Sequence, residues 1–225
     1  METRPKALVS WSTGKDSAYA LHTVRQRGDL EIVGLLTTLT TAFGRVSMHG
    51  VREALLDAQS EALGLPCRKI GIGSPCSNEA YEAAMAEALH AEITGRGVTH
   101  VVFGDLFLED IRAYREAKLQ TVGLTPVFPL WQRPTAQLAR DMLDSGLRSK
   151  LTCVDPKKLD PSFAGRTFDH ALLRDLPSDV DPCGENGEFH SFATAGPMFS
   201  RPIAVRTGEV VTRDGFVFAD LLPEA

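Results

Sequence analysis

No two of the four cysteines, at 67, 76, 153 and 183, are spaced as Cys-x-x-Cys, and no histidine pair stands at a zinc-finger spacing. A structural zinc or an iron–sulfur cluster is therefore not expected, and the thiols read as reduced, three of them simply buried. Long apolar runs are missing too. The stretch 32–36 falls far short of the ~18–20 residues that span a bilayer, so no membrane partner is expected. Met1-Glu2-Thr3-Arg4-Pro5-Lys6 has no apolar core before a cleavage site, so no signal peptide is expected and the cytoplasm is the expected compartment. A basic surplus is also lacking. The net charge is −5, with 7 Lys/Arg against 12 Asp/Glu in 151–225 and 17 of each in 1–150. Nothing resembles a face that would neutralise a phosphate backbone, so nucleic acid is not expected as a general partner. What is present is an ordinary balance, 43% hydrophobic and 24% charged over 225 residues, which excludes disorder, a collagen-like fibre and a coiled coil.

The first 150 residues alternate short β-like runs (6–10, 31–38, 67–72, 98–103, 126–128) with helical patterns at 16–27, 51–63, 78–94 and 109–122. Asn78 is the expected N-cap of the third helix and His49 a candidate cap for the second. This alternation predicts an α/β fold with a five-stranded, mainly parallel sheet covered on both faces. Ligands in such sheets bind beyond the carboxyl ends of the strands, here after Ser10, Thr38, Ile72 and Phe103. The last third reads differently. Pro156, Pro161, Pro177 and Pro182 break it up, strand-like runs begin at Phe189, and turns are expected at Gly196-Pro197, Thr207-Gly208 and Arg213-Asp214-Gly215. The expected organisation is a nucleotide-binding domain over 1–145 and a smaller α+β substrate or acceptor domain over 146–225.

The strongest local signal is Ser10-Trp11-Ser12-Thr13-Gly14-Lys15-Asp16-Ser17, placed between the first strand and the first helix. Small residues allow a tight turn whose N–H groups converge on one anion, the helix start adds its positive dipole end, and Lys15 adds a full charge. The string is not a Walker A loop, because Asp16 follows Lys15 where Ser or Thr is required. The reading is a pyrophosphate cradle.

Ser12-Thr13-Gly14-Lys15-Asp16-Ser17 resembles the SGGKDS loop of the PP-loop ATP pyrophosphatases, which cleave ATP between the α and β phosphates. Thr13 replaces a small residue, and a β-branched side chain resists φ > 0. His49-Gly50-Val51-Arg52, Gly104-Asp105-Leu106, Pro129-Leu130-Trp131 and Asp181-Pro182-Cys183-Gly184-Glu185-Asn186-Gly187-Glu188-Phe189-His190 resemble the pattern of the diphthine–ammonia ligase (diphthamide synthase, N-type ATP pyrophosphatase) family. Asn186 stands where that pattern often has Gly. The resemblance runs from Lys6 to about Ile203. It implies a HUP-like (adenine nucleotide alpha hydrolase-like) domain and an ATP-dependent ligase that adenylates a carboxylate and amidates it with ammonia, releasing AMP and pyrophosphate. ATP would lie over the carboxyl ends of strands one, two and four.

On that footing Ser10, Ser12, Thr13, Gly14, Lys15, Asp16, Ser17, Gly104 and Arg112 are candidates for ATP binding, and Lys15, Asp105, Glu185 and Glu188 for catalysis. Asp16 and Asp105 are candidates for Mg²⁺, which prefers one or two carboxylates plus phosphate oxygens. Glu185, Asn186, Glu188 and His190 are candidates for the acceptor side, the two acids handling ammonia. Plainer readings stand beside these. Gly104-Asp105 also fits a helix-capping turn. Arg112 and Arg115, at i and i+3, share a face and suit phosphate or carboxylate capture, and with Asp110 they equally fit a solvated face paired with Glu109 and Glu116. Asn186-Gly187 also fits a hairpin turn, and His190 a structural histidine. The acceptor is an unknown carboxylate, a protein among the options, and a homo-oligomer is compatible with the chain. Two rival functions stay open, a PP-loop enzyme acting on tRNA or a sulfur substrate, and a nucleotide-binding sensor without chemistry.

Overall fold

The computed structural model describes residues 3–224. Met1 and Glu2 of the N-terminal reading, and Ala225 at the end of the expected second domain, lie outside the described residues.

The first sheet is built around β1 (Lys6–Ser10). β2 (Glu31–Thr40) and β5 (Val98–Val102) flank it in parallel, β4 (Cys67–Ile72) pairs with β2, and β6 (Thr125–Val127) with β5. Period-two alternation sends Ala7 and Val9 into one buried layer and Leu8 into another, so both faces are covered. The helices α1 (Lys15–Arg27), α2 (Glu53–Leu63), α3 (Asn78–Arg96) and α4 (Glu109–Thr121) cross between strands.

The sheet has six strands, not five. The addition is β3 (Arg45–Val46), antiparallel to the end of β2, which runs two residues past Thr38. This tongue also sets where α2 starts. Val46 N–H donates to the Val51 carbonyl and Arg45 bridges Arg52, which holds 51–52 extended. The helix therefore begins at Glu53, with Arg52 and not His49 before it. In α3, Asn78 is already helical. The cap is Ser77, whose hydroxyl accepts from Ala80 N–H at 3.2 Å.

The second sheet is antiparallel. Its centre, β7 (Arg148–Val154), pairs with β9 (Phe189–Ala195) along its length, with β8 (Thr167–Phe168), and with β11 (Phe216–Pro223), which pairs with β10 (Val205–Arg213). Asp214 and Gly215, at φ 50° and 83°, close the β10–β11 hairpin, as expected for two left-handed residues. Thr207-Gly208 is no turn. It lies inside β10, where the register shifts between Thr207 and Val210. Asn186-Gly187 joins no two strands and lies in the loop before β9.

Two helices were not foreseen, α5 (Thr135–Asp144) and the short α6 (His170–Asp175). In α5 the buried set Leu138, Ala139, Met142 and Leu143 forms one narrow stripe. One buried cluster contains Val9 and Leu21 from around the first sheet and Leu151, Phe192 and Leu221 from the second, so the two sheets share a core. All four cysteines are free. Cys153 and Cys183 are buried and Cys67 and Cys76 half-buried, so two are interior and not three. Among the described residues no helix is long and apolar enough to cross a membrane.

Candidate functional site

β1 ends at Ser10, whose own side chain is half-buried at the strand's carboxyl end. The chain then turns through Ser12 and Thr13 into α1. Thr13 takes φ 71°, the left-handed conformation that a β-branched residue resists, so the loop keeps the shape a glycine would give it. Two hydrogen bonds hold it there. The Thr13 carbonyl accepts from Ala193 N–H of β9 at 2.9 Å and from Gln59 Nε2 at 3.0 Å. Gln59, fully buried, also donates to the Ala193 carbonyl and accepts from Trp11 Nε1. Lys15 N–H donates to Ser191 Oγ at 3.2 Å, Gly14 N–H to Ser12 Oγ at 3.3 Å, and Ser17 Oγ to the Gly14 carbonyl. The loop is thus stitched to the second sheet at three points.

Lys15 is 1% exposed and points inward. Its Nζ donates to both Asp16 oxygens, at 3.0 and 2.8 Å, and to the Cys183 carbonyl, and lies over the rings of Phe168 and Phe189. Burial works against its charge. Asp16 first, with Cys183 and Glu185 adding, more than offsets this and raises its pKa. Burial also raises the Asp16 pKa against the pull of Lys15, and Asp181 adds to the rise. The full charge expected to face a phosphate is therefore already engaged, joining the loop 12–17 to the segment at Cys183.

Glu185 comes to the same place. Its Oε1 accepts from Leu106 N–H at 2.7 Å and Phe107 N–H at 3.4 Å, just beyond β5. Burial, reinforced by the charges of Asp16 and Asp105 and opposed by the two amides, pushes its pKa up to about 7. Four carboxylates (Asp16, Asp105, Asp181, Glu185) surround this centre, against the cations Lys15 and Arg115.

The other candidates are placed less uniformly. Gly104 is essential as glycine, yet its neighbour is protein: a Cβ there would lie 2.8 Å from the backbone of Asp16 and Ser17. Asp105 is 2.8 Å from Arg115 Nε and accepts from its Nη2 at 3.1 Å. Arg112 pairs with Glu116 at 2.7 Å and lies over the rings of Phe128 and Trp131. Glu188 is 3% exposed and turns into its own loop, where Oε1 accepts from Asp181 N–H and Asn186 Nδ2 while Oε2 is buried without a partner. Glu185 and Glu188 thus engage different partners. The His190 ring lies against that of His49, tilted by 36° with centroids 4.6 Å apart, and His49 Nδ1 is 3.0 Å from the Ser191 carbonyl. Burial lowers His190 to about 4 and His49 to about 3, so both rings are neutral near neutral pH. Burial pushes the Cys183 thiol far up, which leaves no thiolate for nucleophilic work.

Sequence reasoning missed Gln59 and Ser191 as parts of this centre, had Asp181 only as the first residue of the Gly-Glu-rich string, and had Arg115 with Arg112 as a pair suited to phosphate or carboxylate capture. Asp181 accepts from the N–H groups of Cys183 and Glu185 and so shapes the loop that carries Glu185. Its signal was present as an Asp-Pro opening the motif. Gln59 and Ser191 carry no motif, and only tertiary packing reveals them.

No group of three or more His, Cys, Asp or Glu side chains among the described residues is placed to hold a metal ion alone. The surplus of acid around Asp16 and Glu185 is still the donor chemistry that suits a hard cation shared with phosphate oxygens.

Comparison with known proteins agrees with this geometry. Residues 5–126 match the model of the diphthamide synthase N-terminal domain, and 134–219 that of the diphthamide synthase C-terminal domain. The human diphthine–ammonia ligase is 33% identical over 239 residues, spanning 96% of this chain and 88% of that protein. The cattle protein of the same name is 27% identical with the same coverage, and that of Schizosaccharomyces pombe is 26% identical over 92% of this chain and 37% of its own length. A loop-to-helix cradle and a Gly-Glu-rich segment folded onto one sheet edge, with both family models matched along the chain, place this protein in the diphthamide synthase family.

Proposed function

We propose that the chain is an ATP-dependent ligase that adenylates a substrate carboxylate and amidates it with ammonia, releasing AMP and pyrophosphate. The observation that carries this reading is the seat of Glu185. A residue 170 positions beyond Lys15 is bonded to the amides at the end of β5 and shares a charge cluster with Lys15 and Asp16. Its likeness to the diphthine–ammonia ligases over nearly the whole chain supports it. Neither a tRNA- or sulfur-directed enzyme nor a sensor without chemistry accounts for this junction as well.

In this reading residues 1–145 bind the nucleotide and 146–225 supply the acceptor side. The loop 12–17 and the amino end of α1 take the β,γ-pyrophosphate and stabilise it as a leaving group. Lys15 is a positioning residue, holding the Cys183–Glu185 segment over the loop. Mg²⁺, with Asp16 as its protein ligand, would neutralise charge on the phosphates. The acceptor carboxylate attacks the α-phosphorus and becomes an acyl adenylate. Glu185, with a pKa near 7, takes a proton from ammonium, and the resulting ammonia displaces AMP. Glu188 shapes the loop from within.

The test is product analysis. With α-labelled ATP, ammonium chloride and a cell extract as acceptor source, the protein should release AMP and pyrophosphate in an ammonium-dependent way. ADP and phosphate as the only products would remove the mechanism.

A further inference from the structure

The second sheet ends on β10, and its outer edge is open. The strands run β10-β11-β7-β8, so among the described residues no strand pairs with the far side of β10. The strand is long, Val205–Arg213, and none of its residues is buried. Such an edge is a template for another chain, and the residues that usually blunt one are missing here: 205–213 contains neither proline nor lysine. Its backbone is also set for pairing. The two-residue turn at Asp214-Gly215 makes Arg213–Phe216 a bonded pair, and the register with β11 stays regular back to Val210. Alternation then turns the N–H and C=O groups of Thr212 and Val210 away from β11.

Glu209, Val211 and Arg213 share one face of β10. All three line a cavity of about 470 Å³ between the hairpin and the β2–β3 tongue, with Phe43, Met48 and Phe218 also in its walls. The tongue is pinned there by Asp220 of β11, which is 2.8 Å from Arg45 Nη1 and 2.6 Å from Arg52 Nη2. Phe43 and Met48 are 59% and 64% exposed, and Val210, on the opposite face of β10, is 53% exposed. Large apolar side chains thus stand uncovered on both faces of the edge.

The charges select the partner. When two copies of a strand pair about a two-fold axis normal to the sheet, the central residue meets itself and residues equally spaced on either side meet each other. With Val211 at the centre, Glu209 of each copy faces Arg213 of the other. Val210 faces Thr212, the two residues whose backbone groups point outward, so the ladder bonds form as well. Centring on Glu209 or Arg213 sets like charges opposite each other, and centring on Val210 or Thr212 pairs no opposite charges. We infer that β10 pairs with β10 of a second copy of this chain, antiparallel about Val211, so that the second sheet continues across a dimer held by two Glu209–Arg213 pairs.

Sedimentation velocity on the full chain, from about 1 to 200 µM, tests this. The wild type should run as a dimer at the upper end of that range. Glu209→Arg sets like charges opposite each other at both symmetric positions, and should raise the dissociation constant of the dimer at least about 10-fold. Glu209→Arg combined with Arg213→Glu exchanges the charges, and should bring the constant back to within about 3-fold of the wild type. Val210→Pro removes an outward N–H but no bond to β11, and should abolish the dimer while the far-ultraviolet circular dichroism stays unchanged. A wild type that is monomeric throughout the range would overturn the inference. So would a dimer indifferent to Glu209→Arg, or one that the charge exchange does not restore. If Val210→Pro does not fold, the charge exchange decides alone.

Discussion

Two charge clusters tie the first sheet to the second, and they are built in opposite ways. At Lys15 the cation is buried, acids are in excess, and the pKa values of Asp16 and Glu185 rise. At Asp220 the carboxylate is the minority partner, partly buried, and its pKa falls, because Arg52 and Arg45 more than offset the cost of burial. Both clusters are bridges by contact, yet only the first holds a carboxyl group that changes charge near neutral pH. Burial with like-charge neighbours prepares a group for proton transfer, whereas burial between two guanidiniums fixes it as an anion.

The contrast breaks most visibly at Lys15. Lys15→Met leaves Asp16 and the Cys183 carbonyl without their partner, and should cost roughly 3 kcal/mol of stability, as does breaking a buried ion pair from one side. Denaturant unfolding beside an ammonium-dependent AMP assay would show both this loss and near-complete inactivity. Glu185→Gln comes next. AMP formation should fall ~100-fold while ATP binding changes little, in line with removal of a general base. The wild-type rate should rise with pH through about 7 as Glu185 ionises, and the variant should lack that limb. The stability effect runs the other way. A carboxyl raised in the folded state contributes stability below its unfolded value, near 4.5, and loses it as pH rises through about 7. Melting temperature against pH should therefore be flatter in Glu185→Gln over that window.

At the other cluster the effects shrink. Asp220→Asn removes a partly exposed pair and should cost about 0.5–1 kcal/mol, with no change in the midpoint near 7 of the AMP pH–rate profile. Asp220 has its pKa depressed, so its contribution is present above its unfolded value, near 3.8, and fades only as pH falls below it. The smallest change sharpens the loop itself. Thr13→Gly relieves a β-branched residue at φ 71° and removes a hydroxyl buried without a partner, against a gain in unfolded-chain freedom. A net stabilisation of about 0.5–1 kcal/mol should appear as a rise of a few degrees in melting temperature.

The parallel sheet was legible because its signals are local. Runs such as 6–10 and 98–103 and the turn from the first strand into the first helix each follow from a few neighbouring residues. The family too was legible, from strings that matching of the whole chain bears out. What failed depended on contacts made elsewhere. The start of α2 moved because β3 captured residues 51–52, and Asn186-Gly187, which also fitted a hairpin, lies in a loop held by Asp181 and Glu188. Glu185 and Glu188 look equivalent in sequence, yet one meets the amides of Leu106 and Phe107 and the other those of its own loop. No spacing rule separates them. The inward turn of Lys15 was equally hidden, since its partners at 168, 183 and 189 belong to the second sheet.

The central claim is that the loop 12–17 and the segment bearing Glu185 form one nucleotide site. A crystal structure with the non-cleavable analogue α,β-methylene-ATP tests it most directly. The account predicts the β,γ-phosphates against the loop 12–17 and the amino end of α1, with the α-phosphorus on the side where Glu185 meets Leu106 and Phe107. A nucleotide seated in the cavity between Phe43 and Phe218, or one whose α-phosphorus faces away from Glu185, would contradict it.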